Sequence, residues 1–391
     1  MSPGMLQRFP LRRLGRAVAV AMAASTHCAA TSTPAPTSSG AAGTEPSPAS
    51  LSGALYVRTD TDQTTVVSPL VHFRSDMGTA HVNIDIVYMA DIWTSASVDV
   101  RTAATKVVRE QRDEVDVGLD LESGLARAGL GYRYSHEVDY LSNSISLFAQ
   151  YEAFQRSTTF AARASFAADQ VGRSGDEFFS RELTTVGAWI GITQVLSRTS
   201  LAQISYEHRY SHGYMASPYR YVAINGQGVC RPGAEFCLPE VHPNVKVRQA
   251  AVLRFRQALG GQMSLGGGYR LYLDSWQIRS HTALADVGLA ATDNWTLSLY
   301  YRGYRQNEAF FYRRQYDSIV GHPYLTRDRE LSELSSHQGG LRAEYVREIP
   351  ATGSTFTFGV LAALTRYAYG DFIGLDRVRG TEIGSTVGLT Y

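Results

Sequence analysis

Val245-Lys246-Val247-Arg248-Gln249-Ala250-Ala251-Val252-Leu253-Arg254-Phe255-Arg256-Gln257 is two surfaces interleaved in one stretch of chain. Val245, Val247, Ala251, Leu253 and Phe255 fall on one side of an extended backbone, and Lys246, Arg248, Arg254 and Arg256 on the other. A period of two is that of a strand, because successive side chains point to opposite faces. Such a charged face cannot be packed in an apolar core, so the two faces must meet different surroundings.

The same alternation continues on either side. Met263, Leu265, Tyr269, Leu271 and Leu273 interleave with Ser264, Arg270, Tyr272 and Asp274, and Trp295, Leu297, Leu299 and Tyr301 with Thr296, Ser298, Tyr300 and Arg302. Short turns fall near 75–78, 122–124, 155–157, 197–200, 260–262, 292–294 and 350–354. Between them lie the other connections, mostly longer, of which 91–110, 169–182, 213–244 and 307–335 are the largest. Counting between the breaks gives about sixteen strands, an even number, with both chain ends on the short-turn side. The pattern predicts an all-β fold, a transmembrane antiparallel β-barrel with short periplasmic turns and long extracellular loops. Closure pairs every backbone donor and acceptor inside hydrocarbon and leaves no sheet edge. A large soluble sandwich also alternates, but it explains neither the asymmetric loops nor the terminal aromatic.

Composition agrees with a folded chain of 391 residues, 44 % hydrophobic and 19 % charged. Outside the N-terminus no apolar run approaches the roughly 20 residues of a spanning helix. Basic and acidic residues nearly balance, 37 against 36. No basic block points to nucleic acid as a partner. Residues 1–30 have the layout of a secretory signal: Arg8 to Arg16, an apolar core from Ala17 to Ala24, then small residues. Cys28 offers a lipidation alternative, but it follows His27 where a lipoprotein signal wants Gly or Ala. Residues 31–50, rich in Ser, Thr, Ala and Pro, read as a flexible tether, and 51–391 as the barrel. Val387, Leu389 and Tyr391 share one face of the last strand, and the chain stops on the aromatic, which resembles the signal read by the barrel-assembly machinery. Tyr88, Trp93, Tyr132, Tyr134, Tyr206, Tyr210, Tyr367 and Tyr369 are read as interfacial girdles. Export implies an oxidising compartment, in which Cys230 and Cys237 can close a small disulfide loop; two thiols that never meet are the alternative.

Several segments, in order, resemble a known family. Asp91 to Ser97, Glu137 to Tyr140, Gly213 to Arg220, Pro239 to Pro243, Tyr269 to Trp276 and Ser280 to Thr282 resemble an uncharacterised family of Gram-negative outer-membrane proteins known as domain of unknown function 3570. The resemblance runs from about Leu51 to Tyr391; Thr94-Ser95-Ala96-Ser97 departs from it, where the family more often has Ser-Gly-Ala-Ser, and the Cys230 to Cys237 stretch looks like a local elaboration. It implies an exported barrel in the cell outer membrane, often encoded beside a thioredoxin-like protein, a small lipoprotein and a flavin-transferring enzyme. That context implies periplasmic or lipoprotein partners in a redox- or flavin-linked envelope assembly. It assigns no substrate and no catalytic residue.

The residues themselves offer little chemistry. Gly266-Gly267-Gly268 sits inside a strand pattern, where glycine marks a bend or a close approach, not a phosphate loop. His208 and His212 share a strand face but stand about 13 Å apart, too far to ligate one metal. His242 could join them only through a bend, so no metal site is expected. Ser280 and His281 point to opposite faces and cannot pair as nucleophile and base. No enzyme activity and no cofactor are expected.

What remains is the charged inner face. Alternation places His72, Asp85, Asp116, Asp120, Arg127, Arg133, Glu152, Glu207, Arg209, Asp274, Arg302, Arg342 and Glu344 toward the lumen, with the cluster Lys246, Arg248, Arg254, Arg256 and Arg270. One reading is a water-filled channel for small polar or anionic solutes in which that cluster selects. The other is a lumen packed shut by ion pairs, a plugged structural or interaction barrel seating an envelope complex. The 213–244 and 307–335 loops are candidate plugs or partner surfaces; the plainer expectation for Phe310, Phe311, Tyr312, Arg313, Arg314, Tyr316 and Tyr324 is packing over the mouth.

Overall fold

The computed structural model describes residues 49–77, 82–95, 108–224, 230, 236–372 and 374–391. The signal reading of 1–30 and nearly all of the tether lie outside them. Their strands are β1 (Ser50–Asp60), β2 (Thr64–Asp76), β3 (Val82–Ser95), β4 (Val108–Ser123), β5 (Ala126–His136), β6 (Tyr140–Ala153), β7 (Thr158–Val171), β8 (Arg181–Val195) and β9 (Ser200–Gly213). After the short β10 (Tyr221–Ala223) and β11 (Cys237–Pro239) come β12 (Val245–Leu259), β13 (Met263–Asp274), β14 (Arg279–Ala290), β15 (Trp295–Gln306), β16 (Leu334–Ile349), β17 (Ser354–Tyr369) and β18 (Arg377–Thr390).

The long strands form one closed antiparallel barrel of sixteen, each paired with its sequence neighbour except that β9 pairs β12 directly. The ring closes where β1 meets β18, from Ser50 opposite Thr390 to Asp60 opposite Gly380. Strands of 11 to 16 residues are long enough to cross a bilayer at a tilt, where about 9–11 suffice. Among the described residues no helix is long and apolar enough to cross a membrane.

Alternation decides which face each side chain takes. On the outer wall Ile145, Leu147, Ile190, Ile204, Leu253, Leu299, Leu341 and Ile383 are all exposed. A continuous apolar belt of this kind is stable against hydrocarbon and not against water. Tyr88, Tyr132, Tyr134, Tyr206 and Tyr210 edge it toward the long-loop end, as expected. Trp93, Tyr367 and Tyr369 do not belong to a girdle: the register puts Trp93 on the lumen side opposite Val66, and Tyr367 accepts a hydrogen bond there from Arg58 at 3.0 Å. An aromatic near a strand end is a girdle residue only when its parity is outward.

The short turns read from the sequence lie at the end that holds Ser50 and Thr390; residues 172–180, 214–244 and 307–333 lie at the other, beside short connections at 61–63, 137–139 and 275–278. The largest connections are shorter than the sequence suggested, because polar residues such as Asp91 and Thr94 continue β3. Ser50, the last tether residue, opens β1.

Candidate functional site

The inner wall has two electrostatic halves. On β2 to β5 the charges pair among themselves: His72 Nε2 with Asp85 at 2.9 Å, Arg112 with Asp91 at 2.5 Å, Arg133 with Asp116 at 2.7 Å, and Arg127 with Asp120. Glycine makes room for these contacts. A Cβ at Gly129 would stand 2.3 Å from an Asp120 carboxylate oxygen. This half is the ion-pair network that the sequence left open.

The other half carries an excess of cations. All of Lys246, Arg248, Arg254, Arg256 and Arg270 face inward on β12 and β13, but they are not equivalent. Lys246 stands 3.3 Å from the Asp274 carboxylate and 3.8 Å above the Trp276 ring, so it anchors the wall. Arg256 donates to both Asp286 oxygens at 3.0 and 2.8 Å, bridging across Gly266 of the strand between them. A Cβ there would lie 2.1 Å from Asp286 and 2.7 Å from Arg256. Arg248, Arg254 and Arg270 make no ion pair among the described residues, nor does Arg302 on β15. Arg270 and Arg302 lie against the Tyr272 and Tyr304 rings, each at 5.3 Å. Arg254 Nε is buried without a hydrogen-bond partner. Further round the ring, beyond β9, the inward faces of β6 to β8 carry Ser144, Ser146, Ala161, Ser165 and Gly187 together with the larger Phe148, Arg163 and Trp189.

Over the long-loop end the two largest connections fold together into a cap. Trp276, Ile278, Ala309, Phe311, Tyr312 and Leu331 form one buried cluster, and Val222, Tyr316 and Leu325 a second. Val241 and Leu325 exchange backbone hydrogen bonds at 3.0 and 2.8 Å, joining loop to loop. Beside them Glu240 accepts from the Thr326 hydroxyl at 3.0 Å and the Arg327 amide at 2.8 Å. Its second oxygen stands 3.5 Å from His242 Nε2, which packs between Trp276 and Phe311. Asp328 pairs with Arg220 and caps the one-turn helix η1 (Arg329–Leu331) through the Glu330 amide at 2.9 Å. Burial by itself would raise the Asp328 pKa; Arg220 and that amide outweigh it and hold the carboxyl below its ordinary value.

The cap is tied around the rim. Arg329 reaches Asp62 at 2.7 Å, Tyr219 reaches Asp139, Arg173 donates to the Pro218 carbonyl at 2.7 Å, and the Tyr312 hydroxyl donates to the Asp371 carbonyl at 2.6 Å. Cys230 and Cys237 are joined as a disulfide with Cα atoms 5.5 Å apart, beside the β10–β11 pair. The loop aromatics therefore pack the mouth, and the sequence signal missed was the contribution of Trp276, Glu240 and His242 to that packing.

The remaining candidates disperse. His208 and His212 face outward on β9 while His242 is in the cap, so the three do not converge. Ser280 is buried and His281 exposed, on opposite faces of β14. Val387 and Leu389 face outward, and the Tyr391 amide donates to the Ala49 carbonyl at 2.9 Å.

A family model described as "Protein of unknown function (DUF3570)" matches residues 37–346, and the chain belongs to that family. The match ends within β16, so β17 and β18, expected inside the resemblance, lie beyond it. No curated protein matches the chain. Among solved structures it is similar to a bacterial polysaccharide outer membrane secretin, with a TM-score of 0.51 and 8 % identity over 88 % of this chain and 99 % of that one. It is also similar to a variant of the ferric enterobactin receptor of Pseudomonas aeruginosa, with a TM-score of 0.45 and 11 % identity over 82 % of this chain. The match spans 54 % of that receptor, so the chain covers about half of its length. OmpT of Vibrio cholerae lacking loop L8 matches with a TM-score of 0.43 and 9 % identity, over 87 % of this chain and 98 % of that one. The fold is that of an outer-membrane β-barrel, whose surroundings are a lipid bilayer.

Proposed function

We propose that the protein is a channel of the cell outer membrane for small anionic solutes, with its long-loop mouth gated by the cap. The long loops then lie outside the cell and the short turns in the periplasm. Val387, Leu389 and Tyr391 serve its insertion by the barrel-assembly machinery. One observation carries the reading: Arg248, Arg254, Arg270 and Arg302 face the lumen without a carboxylate partner among the described residues. Guanidinium groups that the protein does not neutralise concentrate mobile anions, and low-dielectric walls strengthen the effect. Transport is diffusion, and no bond is made or broken.

Reversal potential under a salt gradient in a planar bilayer tests this. Wild-type protein is expected to favour anions, and Arg254→Ser with Arg302→Ser to lower that preference at least about twofold, as loss of pore-lining charge does. Unchanged selectivity in the double variant contradicts the role of the arginines.

The cap's own hydrophobic cores favour a second reading, a closed barrel that seats an envelope complex. It predicts copurification of a periplasmic or lipoprotein partner and no ion flux, with or without the cap contacts.

A further inference from the structure

The outer wall carries a charge asymmetry that transport does not use. His281 on β14, Arg305 on β15, His337 on β16, Arg366 on β17, and Arg377 and Arg379 on β18 are exposed on the outer face near the long-loop end. The register makes them neighbours: His281 is opposite Arg305, His337 opposite Arg366, and Arg366 opposite Arg379. Arg305 shares Glu333 at 3.3 Å, whereas Arg366, Arg377 and Arg379 make no ion pair among the described residues. On the far wall the same face carries acids, Asp113 on β4 and Glu182 on β8. Arg366 and Arg379, held opposite one another across neighbouring strands, repel, and an anion placed between them would relieve that repulsion.

A second observation coincides with it. A groove of about 590 Å³ runs between β1, β16, β17 and β18, lined by His337, Arg366, Arg379, Thr381 and Leu364 and by Asp60, whose carboxylate accepts from the Asp62 and Thr64 amides at 3.0 and 3.1 Å. Leu364 is 68 % exposed, and Ile383 and Leu341 continue the apolar wall toward the barrel's middle. The Tyr301 hydroxyl contacts His337 Nδ1 at 2.6 Å, and with tyrosine donating, Nε2 carries a proton for an outside acceptor.

We propose that this groove binds a phosphorylated glycolipid of the outer leaflet, of the lipid A class. Arg366, Arg379 and His337 receive a phosphate, and the acyl chains lie along Leu364, Leu341 and Ile383. Bidentate guanidinium–phosphate contacts supply the head-group recognition, and their place at the edge of the apolar belt supplies its depth. This rests on the outer-membrane placement proposed above and is independent of ion conduction.

The experiment uses the purified full chain in neutral detergent micelles with fluorescent bis-phosphorylated lipid A. Arg366→Gln with Arg379→Gln is expected to weaken binding about tenfold or more. The double Lys variant, which keeps the charge but not the bidentate fork, is expected to bind more tightly than the Gln variant and more weakly than the wild type. Arg347→Gln, on the same outer face at the short-turn end, is expected to leave it unchanged. Dephosphorylated lipid A is expected to bind the wild type as weakly as lipid A binds the Gln variant. Equal affinity in all variants overturns the proposal, as does indifference to the lipid phosphates. Displacement by inorganic phosphate at the concentration at which unlabelled lipid A displaces the probe overturns the lipid assignment and leaves a plain anion site. Heat-modified gel mobility confirms that each variant is folded. Cell fractionation tests the membrane placement separately, so its failure is read apart from that of lipid binding.

Discussion

Arg254 and Arg256 sit two residues apart on the same side of β12, yet only Arg256 has a carboxylate partner. Arg256→Ser is expected to destabilise the barrel by about 1–3 kcal/mol, because it strands the partly buried Asp286. Arg254→Ser is expected to leave stability unchanged and alter selectivity alone. The temperature at which heat-modified gel mobility changes separates the two. Gly266→Val is expected to behave like Arg256→Ser, since a side chain there occupies the path of the Arg256–Asp286 bridge. The inward parity of both arginines was legible in the sequence because it is a local property. Their difference was not, because Asp286 lies two strands away and the pair depends on a glycine between them.

The cap behaves as one element made from loops distant in sequence. Asp328 ties them, and its depressed pKa fixes the sign of the pH response. An acid with a lowered folded pKa adds stability that is complete above its unfolded value, ordinarily 3.8, and is lost as pH falls through the lower folded value. The cap is therefore expected to hold at neutral pH and to open to protease only in strong acid. Asp328→Asn is expected to open it at neutral pH, read by cleavage within 307–333. Reducing Cys230–Cys237 removes a short loop constraint worth about 2–3 kcal/mol in the chain-entropy model and is expected to speed cleavage within 214–244. The sequence showed that Phe311, Tyr312 and Tyr316 had to bury themselves somewhere. It did not show that Trp276 and His242 would receive them, because cap contacts follow no periodicity and join segments far apart in the chain.

At the scale of the whole molecule, period-two alternation and unequal turns sufficed to read the closed barrel, since closure is the one way for such strands to span hydrocarbon with every backbone group paired. Girdle residues were read less well where parity was ignored, as at Trp93 and Tyr367. The outer cationic crescent escaped the sequence reading altogether. Its members are one or two residues on each of five successive strands, each resembling a strand-end arginine or histidine until the sheet sets them side by side.

The central claim is that the lumen conducts when the cap yields. Single-channel recording of wild type and Asp328→Asn, both folded and inserted in a planar bilayer, tests it most directly. The account predicts discrete anion-favouring steps of the same conductance in both, with a higher open probability in the variant. Silence from both, with the variant's cap shown by proteolysis to be open, would contradict a channel and leave a closed scaffold.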